Sequence, residues 1–224
     1  MPLLAQVDLY CERIHPGVWA EPVNALSNLG FVVAALLLHS ALRRLHSHRP
    51  PPSSGVRALP ALLALVGVGS VAFHTFANVL TGLIDQLAIL LFGCMFLYLF
   101  LRHAADVGRF PALLGSLAFA ASSYLMPRWL HDAVLNQSSA YLPYLLGMLG
   151  MLAWLWRHKR PTRGLFGTGV LIFMAALILR TIDLQVCPIF PVGTHFAWHL
   201  LCSLMLYVVS LALAREVVSR KTHG

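Results

Sequence analysis

The stretch Gly82–Leu101, GLIDQLAILLFGCMFLYLFL, decides the fold class. A transmembrane helix needs about 20 mostly apolar residues, and this stretch supplies them with Asp85 as its one charged side chain. Six further stretches have the same apolar character: Val23–Leu42, Ala58–Val79, Pro111–Met126, Ser139–Trp156, Gly164–Ile182 and Gly193–Ala214. The sequence therefore predicts an all-α integral membrane bundle of seven transmembrane helices.

The composition agrees with lipid as the surrounding medium. Of the 224 residues 58% are hydrophobic and 11% charged, whereas about 25% of an ordinary soluble domain is charged. Seven spans leave room for one domain over residues 1–224, with an outer acidic head (1–22), helices (23–214) and a cytoplasmic tail (215–224). The loop Arg43–Arg57, rich in Pro, Ser and basic residues, is predicted to be a solvated linker.

The net charge of +8 comes from basic residues whose distribution indicates how the chain is oriented in the membrane, because Lys and Arg concentrate in cytoplasmic loops of membrane proteins. Thirteen of the sixteen basic residues fall on one side of the predicted bundle, and the other side has only Arg13, Arg128 and Arg180. This predicts an outer N-terminus and a cytoplasmic C-terminus. The basic character is thus explained by topology and by contact with the bilayer, and no nucleic-acid partner is expected.

Three histidines and one aspartate inside the predicted spans are not explained by a loop or by a helix end near water. A titratable group in hydrocarbon costs several kcal/mol and is a functional-site hypothesis by default. The four residues are His74, Asp85, His195 and His199. Because consecutive helices alternate in direction, all four are predicted to lie at one level in the outer half of the bilayer.

Their spacing suits a metal. His195 and His199 are four residues apart and so share one helix face, and His74 would complete a three-histidine set typical of a catalytic zinc site with an open fourth position. Ser70 precedes His74 by four residues and faces the same way, where it could bind an oxyanion, while Asp85 is the natural proton acceptor for a water. The alternative is that the histidines are interhelical hydrogen-bond partners and that Gly67–Ser70 serves helix packing.

The outer head offers a second cluster. Asp8, Glu12, Glu21 and Asn24, with Asn28 nearby, carry the oxygen ligands that Ca²⁺ prefers; a solvated acidic tail with Asn24 as a helix cap is the alternative. Arg180 and Asp183, one turn apart, are predicted to form an ion pair. Cys11 and Cys187 both fall on the outer side, where an oxidising compartment would allow a disulfide.

Three sequence blocks resemble the alkaline ceramidase family, within the seven-helix membrane hydrolases that include the adiponectin receptors. They are the head with the start of the first helix (Asp8–Glu12, Ala20–Asn24 and Ser27–Asn28), Gly69–His74 with Asp85 eleven residues later, and His195–His199. The resemblance implies a bacterial-like member of this family, with a zinc-dependent amidase activity that cleaves the N-acyl bond of ceramide or a ceramide-like lipid.

The resemblance also implies residue roles. His74, His195 and His199 would hold Zn²⁺, Ser70 would stabilise the oxyanion, and Asp85 would activate water. Asp8, Glu12, Glu21 and Asn24 would match a Ca²⁺ site, and Cys11 and Cys187 the family's disulfide. The sequence departs from the family at Ile14, in place of an Asn ligand, at the spacing of Asp8, and at Gln86, in place of Glu.

Two other functions remain open from the sequence. A metal-containing lipid receptor or scaffold would keep the same ligands without turnover, and a proton-coupled transporter would use Asp85 and the histidines for proton movement. We expect a multi-pass protein of a bacterial inner membrane, with the bilayer and a lipid substrate as its partners and the active site toward the outer side.

Overall fold

The structure is a computed structural model that describes residues 2–46, 54–130 and 135–221. Its helices are α1 Pro22–Ser27, α2 Leu29–His46, α3 Ser54–Phe76, α4 Val79–Leu99, α5 Arg109–Trp129, α6 Leu142–Arg157, α7 Arg163–Val186 and α8 His195–Lys221. A π-helical turn extends α4 through Ala104, and a 3₁₀ turn, Ser138–Tyr141, precedes α6. Seven helical segments are long and apolar enough to cross a membrane, with α1 and α2 together forming the first, so the prediction of an all-α bundle with seven spans is confirmed.

The bundle is organised around α8. This helix packs against α2, α3 and α7, and 61% of its apolar window is buried, the highest share among the seven spans. Leu38, Leu63, Leu155, Phe166 and Leu213, from five different helices, are almost fully buried in the shared core. The histidines at the start of α8 are therefore held by the best-packed element of the fold.

Two glycines of α3 bring neighbouring helices close. A Cβ added at Gly67 would lie 2.9 Å from the Cβ of Phe31, and one at Gly69 would lie 3.3 Å from the Cα of Asp85. Small residues permit such close approach between membrane helices. The packing places Ser70, one residue later, next to the helix that carries Asp85.

The head is fastened to the bundle at the α3–α4 turn. The backbone amide of Val7 donates to the carbonyl of Ala77 at 2.8 Å, and the amide of Val79 donates to the carbonyl of Ala5 at 3.1 Å. A disulfide joins Cys11 to Cys187, just after α7, with a Cα–Cα distance of 5.4 Å. The head therefore lies across the end of the bundle at which α3 ends and α4 and α8 begin.

Several helix ends differ by a few residues from the sequence prediction, and two of these differences concern α8 and α3. Helix α8 continues to Lys221, whereas a tail was predicted from residue 215, because Glu216 is buried and accepts hydrogen bonds from Arg160 and from Thr162, the latter at 2.7 Å. Helix α3 begins at Ser54, four residues before the predicted start, within the predicted linker. Residues 47–53 of that linker lie outside the described residues.

The close contact at Gly67 gives a stability prediction. We expect Gly67→Ala to lower stability by about 1–3 kcal/mol, because the added methyl meets the Cβ of Phe31 and the carbonyl of Asn28. Gly150→Ala in α6 is the matched control, since nothing lies within 4 Å of a Cβ at that position. Thermal unfolding of the detergent-solubilised variants measures the difference, and equal midpoints would contradict the packing argument.

Candidate metal centre

Three histidines meet at the end of the bundle that the head covers. His74 comes from the last turn of α3, and His195 and His199 from the first two turns of α8. Their side chains are buried, and one potential ligand atom from each lies within 4.8 Å of the other two. The i, i+4 spacing predicted a shared face for the α8 pair, and the bundle brings His74 to that face.

Glu21 fixes the orientation and the tautomer of the His74 imidazole. The Oε2 atom of Glu21 is 2.6 Å from Nδ1 of His74, and Oε1 accepts a hydrogen bond from Nε of Arg13, also at 2.6 Å. An ionised carboxylate only accepts, so Nδ1 of His74 carries the proton and Nε2 keeps a free lone pair. Burial alone would raise the pKa of Glu21, but the hydrogen bonds and charges of His74 and Arg13 outweigh it and hold that pKa below its ordinary value.

His199 is oriented by the start of the first span. The Ser27 hydroxyl donates to the carbonyl oxygen of Asn24 at 2.7 Å, so its oxygen accepts from Nδ1 of His199, also at 2.7 Å. This pairing leaves Nε2 of His199 as the free lone pair. Metal-binding histidines usually donate their other ring N–H to a carboxylate, a carbonyl or another oxygen in this way.

His195 supplies the test of whether a metal fits. Its Nδ1 is buried and has no hydrogen-bond partner among the described residues. Leaving a buried polar nitrogen unpaired is unfavourable, and coordination of a cation through this nitrogen would satisfy it. His74 and His199 each offer a ligand atom within 4.8 Å of one from His195. Three buried imidazoles, two of them already fixed through the opposite nitrogen, match the donor set of a three-histidine zinc centre.

Asp183 fixes the start of α8. Its carboxylate accepts backbone N–H groups of Thr194 at 2.7 Å, His195 at 2.9 Å and Cys11 at 3.1 Å. A carboxylate at a helix N-terminus satisfies free amides and complements the helix dipole. The predicted Arg180–Asp183 ion pair is therefore wrong, because Asp183 is committed to these amides and the guanidinium of Arg180 donates to the carbonyl of Asn136 at 2.8 Å.

Gly193 makes room for this carboxylate. It has a φ of +69°, and a Cβ at this position would lie 2.2 Å from Oδ1 of Asp183 and 2.6 Å from the Cβ of Cys11. Only glycine fits both the left-handed backbone and the space. The Cys11–Cys187 disulfide lies beside the same contact, so the head, α7 and α8 are joined at one point.

Ser70 and Asp85 face one cavity together with His195 and His199, which we call the histidine cavity. Both side chains are buried, and Ser70 is within hydrogen-bonding reach of Asp85. Oδ1 of Asp85 has no hydrogen-bond partner among the described residues. The rest of the lining is mostly aromatic and aliphatic and includes Phe92, Phe96, Phe119, Met148 and Met151.

Tyr10 is a site residue that the sequence interpretation missed. Its ring stacks on His195, with 3.7 Å between the ring centroids, and lies 5.2 Å from the ring of His74. Burial raises the pKa of the phenol, so Tyr10 keeps its proton. The sequence feature that could have indicated Tyr10 is its position next to Cys11, because the disulfide of Cys11 holds Tyr10 over the histidines.

The head carboxylates have partners that suit a calcium site poorly. Glu12 accepts the backbone amides of Val23 at 2.6 Å and Asn24 at 2.8 Å, which makes it the cap of α1, while burial raises the pKa of its carboxyl. Glu21 is engaged by Arg13 and His74, and Asp8 is exposed. Calcium binding by Asp8, Glu12, Glu21 and Asn24 stays a prediction. The contacts of Glu12 and Glu21 argue against it, while Oδ1 of Asn24 has no hydrogen-bond partner among the described residues.

Seven membrane-spanning helices around three buried histidines, a serine and an aspartate define a multi-pass membrane protein with a candidate hydrolytic metal centre. The sequence model of the ceramidase family matches residues 4–223, nearly the whole chain, and the chain belongs to this family. Membership supports a ceramide-hydrolysing amidase activity in general. A search of curated proteins gave no significant match.

The network at Asp183 gives a second stability prediction. Asp183→Asn replaces a buried carboxylate that accepts three amide hydrogen bonds, and each bond to a charged group contributes about 1.5–3 kcal/mol. We expect a clearly lower thermal midpoint and faster hydrogen exchange at the amides of Thr194 and His195. Asp8→Asn, the same change at an exposed carboxylate, is the control, and equal losses in both variants would refute the role of Asp183.

Proposed function

We propose that this protein is a zinc-dependent amidase of the membrane that cleaves the N-acyl bond of a ceramide-like lipid to a sphingoid base and a fatty acid. The observation that carries the proposal is the buried set His74, His195 and His199, with ligand atoms within 4.8 Å of one another. The family membership supports the same reaction class.

His74 and His199 would hold the metal through the ring nitrogens that their hydrogen-bond partners leave free, and His195 would supply the third nitrogen. Zinc bound in this way supplies a Lewis acid and a water of lowered pKa. Glu21 and Ser27 orient two of the imidazoles by accepting at Nδ1, and Tyr10 covers the third with its ring. The protein thereby fixes the donor set before a substrate arrives.

Ser70 and Asp85 would carry the proton and charge movements. The Ser70 hydroxyl donates a hydrogen bond to the carbonyl oxygen of the amide as negative charge develops there. Oδ1 of Asp85, buried and unpaired, takes a proton from the attacking water and passes it to the amide nitrogen as the C–N bond breaks. The water oxygen joins the acyl carbon, so the products are a carboxylic acid and an amine.

The apolar lining of the histidine cavity suits an acyl chain. Phe92 and Phe96 of α4, Phe119 of α5, and Met148 and Met151 of α6 line it, each more than one helical turn from the helix end nearest the histidines. A fatty acyl chain placed there would bring its carbonyl carbon to Ser70 and Asp85 and exclude bulk water. The substrate would therefore enter from the bilayer.

The orientation of the site follows from the basic residues. The loops at the end opposite the histidines carry most of the Lys and Arg, which is typical of a cytoplasmic face. We therefore assign the metal centre to the outer side of a bacterial inner membrane. A disulfide at the same end agrees with an oxidising compartment.

Metal analysis combined with an N-acyl lipid panel tests the proposal. We expect purified protein to contain about one zinc per chain and to release fatty acid from a ceramide, with loss of activity after chelation. His199→Ala should lose both zinc and hydrolysis, whereas Asp85→Asn should keep zinc and lose about 10²–10⁴-fold in hydrolysis. His39→Ala, at an exposed position in α2, is the control.

The outcomes separate this proposal from its alternatives. Hydrolysis and zinc content that survive in His199→Ala would overturn it. Zinc without release of fatty acid from any lipid would favour a receptor or scaffold that keeps the metal, and pH-driven uptake into proteoliposomes would favour a transporter.

A further inference from the structure

A second cavity lies beside the histidine cavity, and we call it the side cavity. It has a volume of about 580 Å³, is lined by the head, α4 and the region before α6, and shares Tyr10 and Tyr141 with the histidine cavity. Its polar lining consists of Asn78, Gln86, Gln137 and Arg180. A ligand that extends past Tyr10 and Tyr141 would occupy both cavities.

Arg180 brings a buried positive charge to this cavity. The residue is 4% exposed, and its Nε has no hydrogen-bond partner in the described part of the chain. Its guanidinium donates to the carbonyl of Asn136 and lies 5.1 Å from the centre of the Tyr141 ring, both of which are uncharged groups. Within the described ranges, no carboxylate forms an ion pair with Arg180.

The neighbours compensate this charge only in part, since Asp85 acts on Arg180 electrostatically but forms no ion pair with it among the described residues. Asp183, one turn further along α7, is fully used by backbone amides, and the side chain of Gln86 is an amide that donates to the Tyr141 hydroxyl at 3.2 Å. Burial of an unpaired cation is strongly unfavourable, and buried guanidinium groups are usually matched by an anion. Guanidinium geometry suits the two oxygens of a phosphate or a carboxylate.

We propose that the side cavity is an oxyanion subsite in which Arg180 binds a phosphate or carboxylate of the lipid. The assignment rests on the proposed amidase function and deepens it: the preferred substrate is an N-acyl lipid with an acidic headgroup on the amine side. The acyl chain lies in the apolar histidine cavity and the headgroup beyond Tyr10. The same subsite chemistry could instead hold the carboxylate of the released fatty acid, and the experiment distinguishes the two sources.

The first arm compares two substrates with identical acyl chains, an N-acyl sphingoid base and its 1-phosphate. We expect the wild type to have a KM about tenfold lower for the phosphate, and Arg180→Gln to bring the KM values of the two lipids to within about twofold of each other. Arg180→Lys should keep part of the preference. No preference in the wild type, or an equal loss for both lipids in Arg180→Gln, would overturn a headgroup subsite.

The second arm measures inhibition by free fatty acid. Relief of this inhibition in Arg180→Gln without any headgroup preference would assign the oxyanion to the product carboxylate. If neither lipid is hydrolysed by the wild type, the amidase proposal fails. Thermal stabilisation by the phosphorylated lipid, present in the wild type and absent in Arg180→Gln, then still tests the subsite.

A different observation carries a second inference about the head. Both carboxylate oxygens of Glu21 are engaged, and only Oδ1 of Asn24 among the buried candidate ligands has no partner in the described part of the chain. Arg13 holds Oε1 of Glu21 at 2.6 Å and also donates to the carbonyls of His15 and Gly17 at 3.4 and 3.5 Å. The guanidinium of Arg13 is buried with Glu21, at 3% and 2% side-chain exposure. A fixed cation therefore already neutralises the carboxylate that holds His74.

We infer that Arg13 takes the place of a divalent cation in the head and that this protein works without calcium. Oxygen ligands already bound to a guanidinium are not available to Ca²⁺, which takes six to eight of them. Removal of Arg13 would free Glu21 and the carbonyls of His15 and Gly17, and it would leave a buried carboxylate without its counter-charge.

Terbium luminescence and thermal unfolding test this inference. We expect neither Tb³⁺ binding to the head nor a change of midpoint with millimolar Ca²⁺ in the wild type. Arg13→Gln should have a lower midpoint that Ca²⁺ partly restores, whereas Arg13→Lys should stay insensitive. Calcium binding by the wild type would overturn the inference even if Arg13→Gln fails to fold, and an Arg13→Gln midpoint unaffected by Ca²⁺ would also contradict it.

Discussion

The hydrogen bonds that the buried carboxylate of Asp183 accepts from three backbone amides are the interactions on which the rest of this site depends. The carboxylate accepts amide hydrogens from Cys11 in the head and from Thr194 and His195 at the start of α8, and it is itself carried by α7. Because one side chain joins these three segments, the position of the α8 histidines is tied to that of the head. The Cys11–Cys187 disulfide keeps Cys11 beside Asp183, and Gly193 leaves room for the Asp183 carboxylate.

The charged side chains around the histidines are paired on one side of the site and lack close partners on the other. Arg13 faces Glu21, which faces His74, so the head side is neutral once these groups are paired. On the opposite side Arg180 has no acidic partner among the residues described, and Asp85 keeps one oxygen unpaired. Asp85 lines the histidine cavity and Arg180 lines the side cavity, and the two cavities share Tyr10 and Tyr141, so both groups face the space in which a substrate would be bound.

The sequence predicted those features that depend on local spacing. The seven apolar spans follow from hydropathy, and the shared face of His195 and His199 from helical periodicity. The partners of Asp183 and Glu21 could not be predicted in this way, because they depend on the path of the head across the bundle. Asp183 contacts Cys11 across 172 positions of the chain, and no local pattern records such a contact. Charge spacing alone therefore suggested an ion pair with Arg180 that the fold does not form.

The sequence separation of the disulfide has a consequence for biosynthesis. Cys11 and Cys187 are 176 residues apart, and at about 5–20 residues per second the second cysteine is synthesised roughly 9–35 seconds after the first. The thiol of Cys11 has no Cys187 to pair with while the first six spans are inserted. His195 and His199 are synthesised only after Cys187. The three-histidine set is accordingly complete only once α8 has been started, so a chain that stalls before its final span lacks two of the three candidate metal ligands.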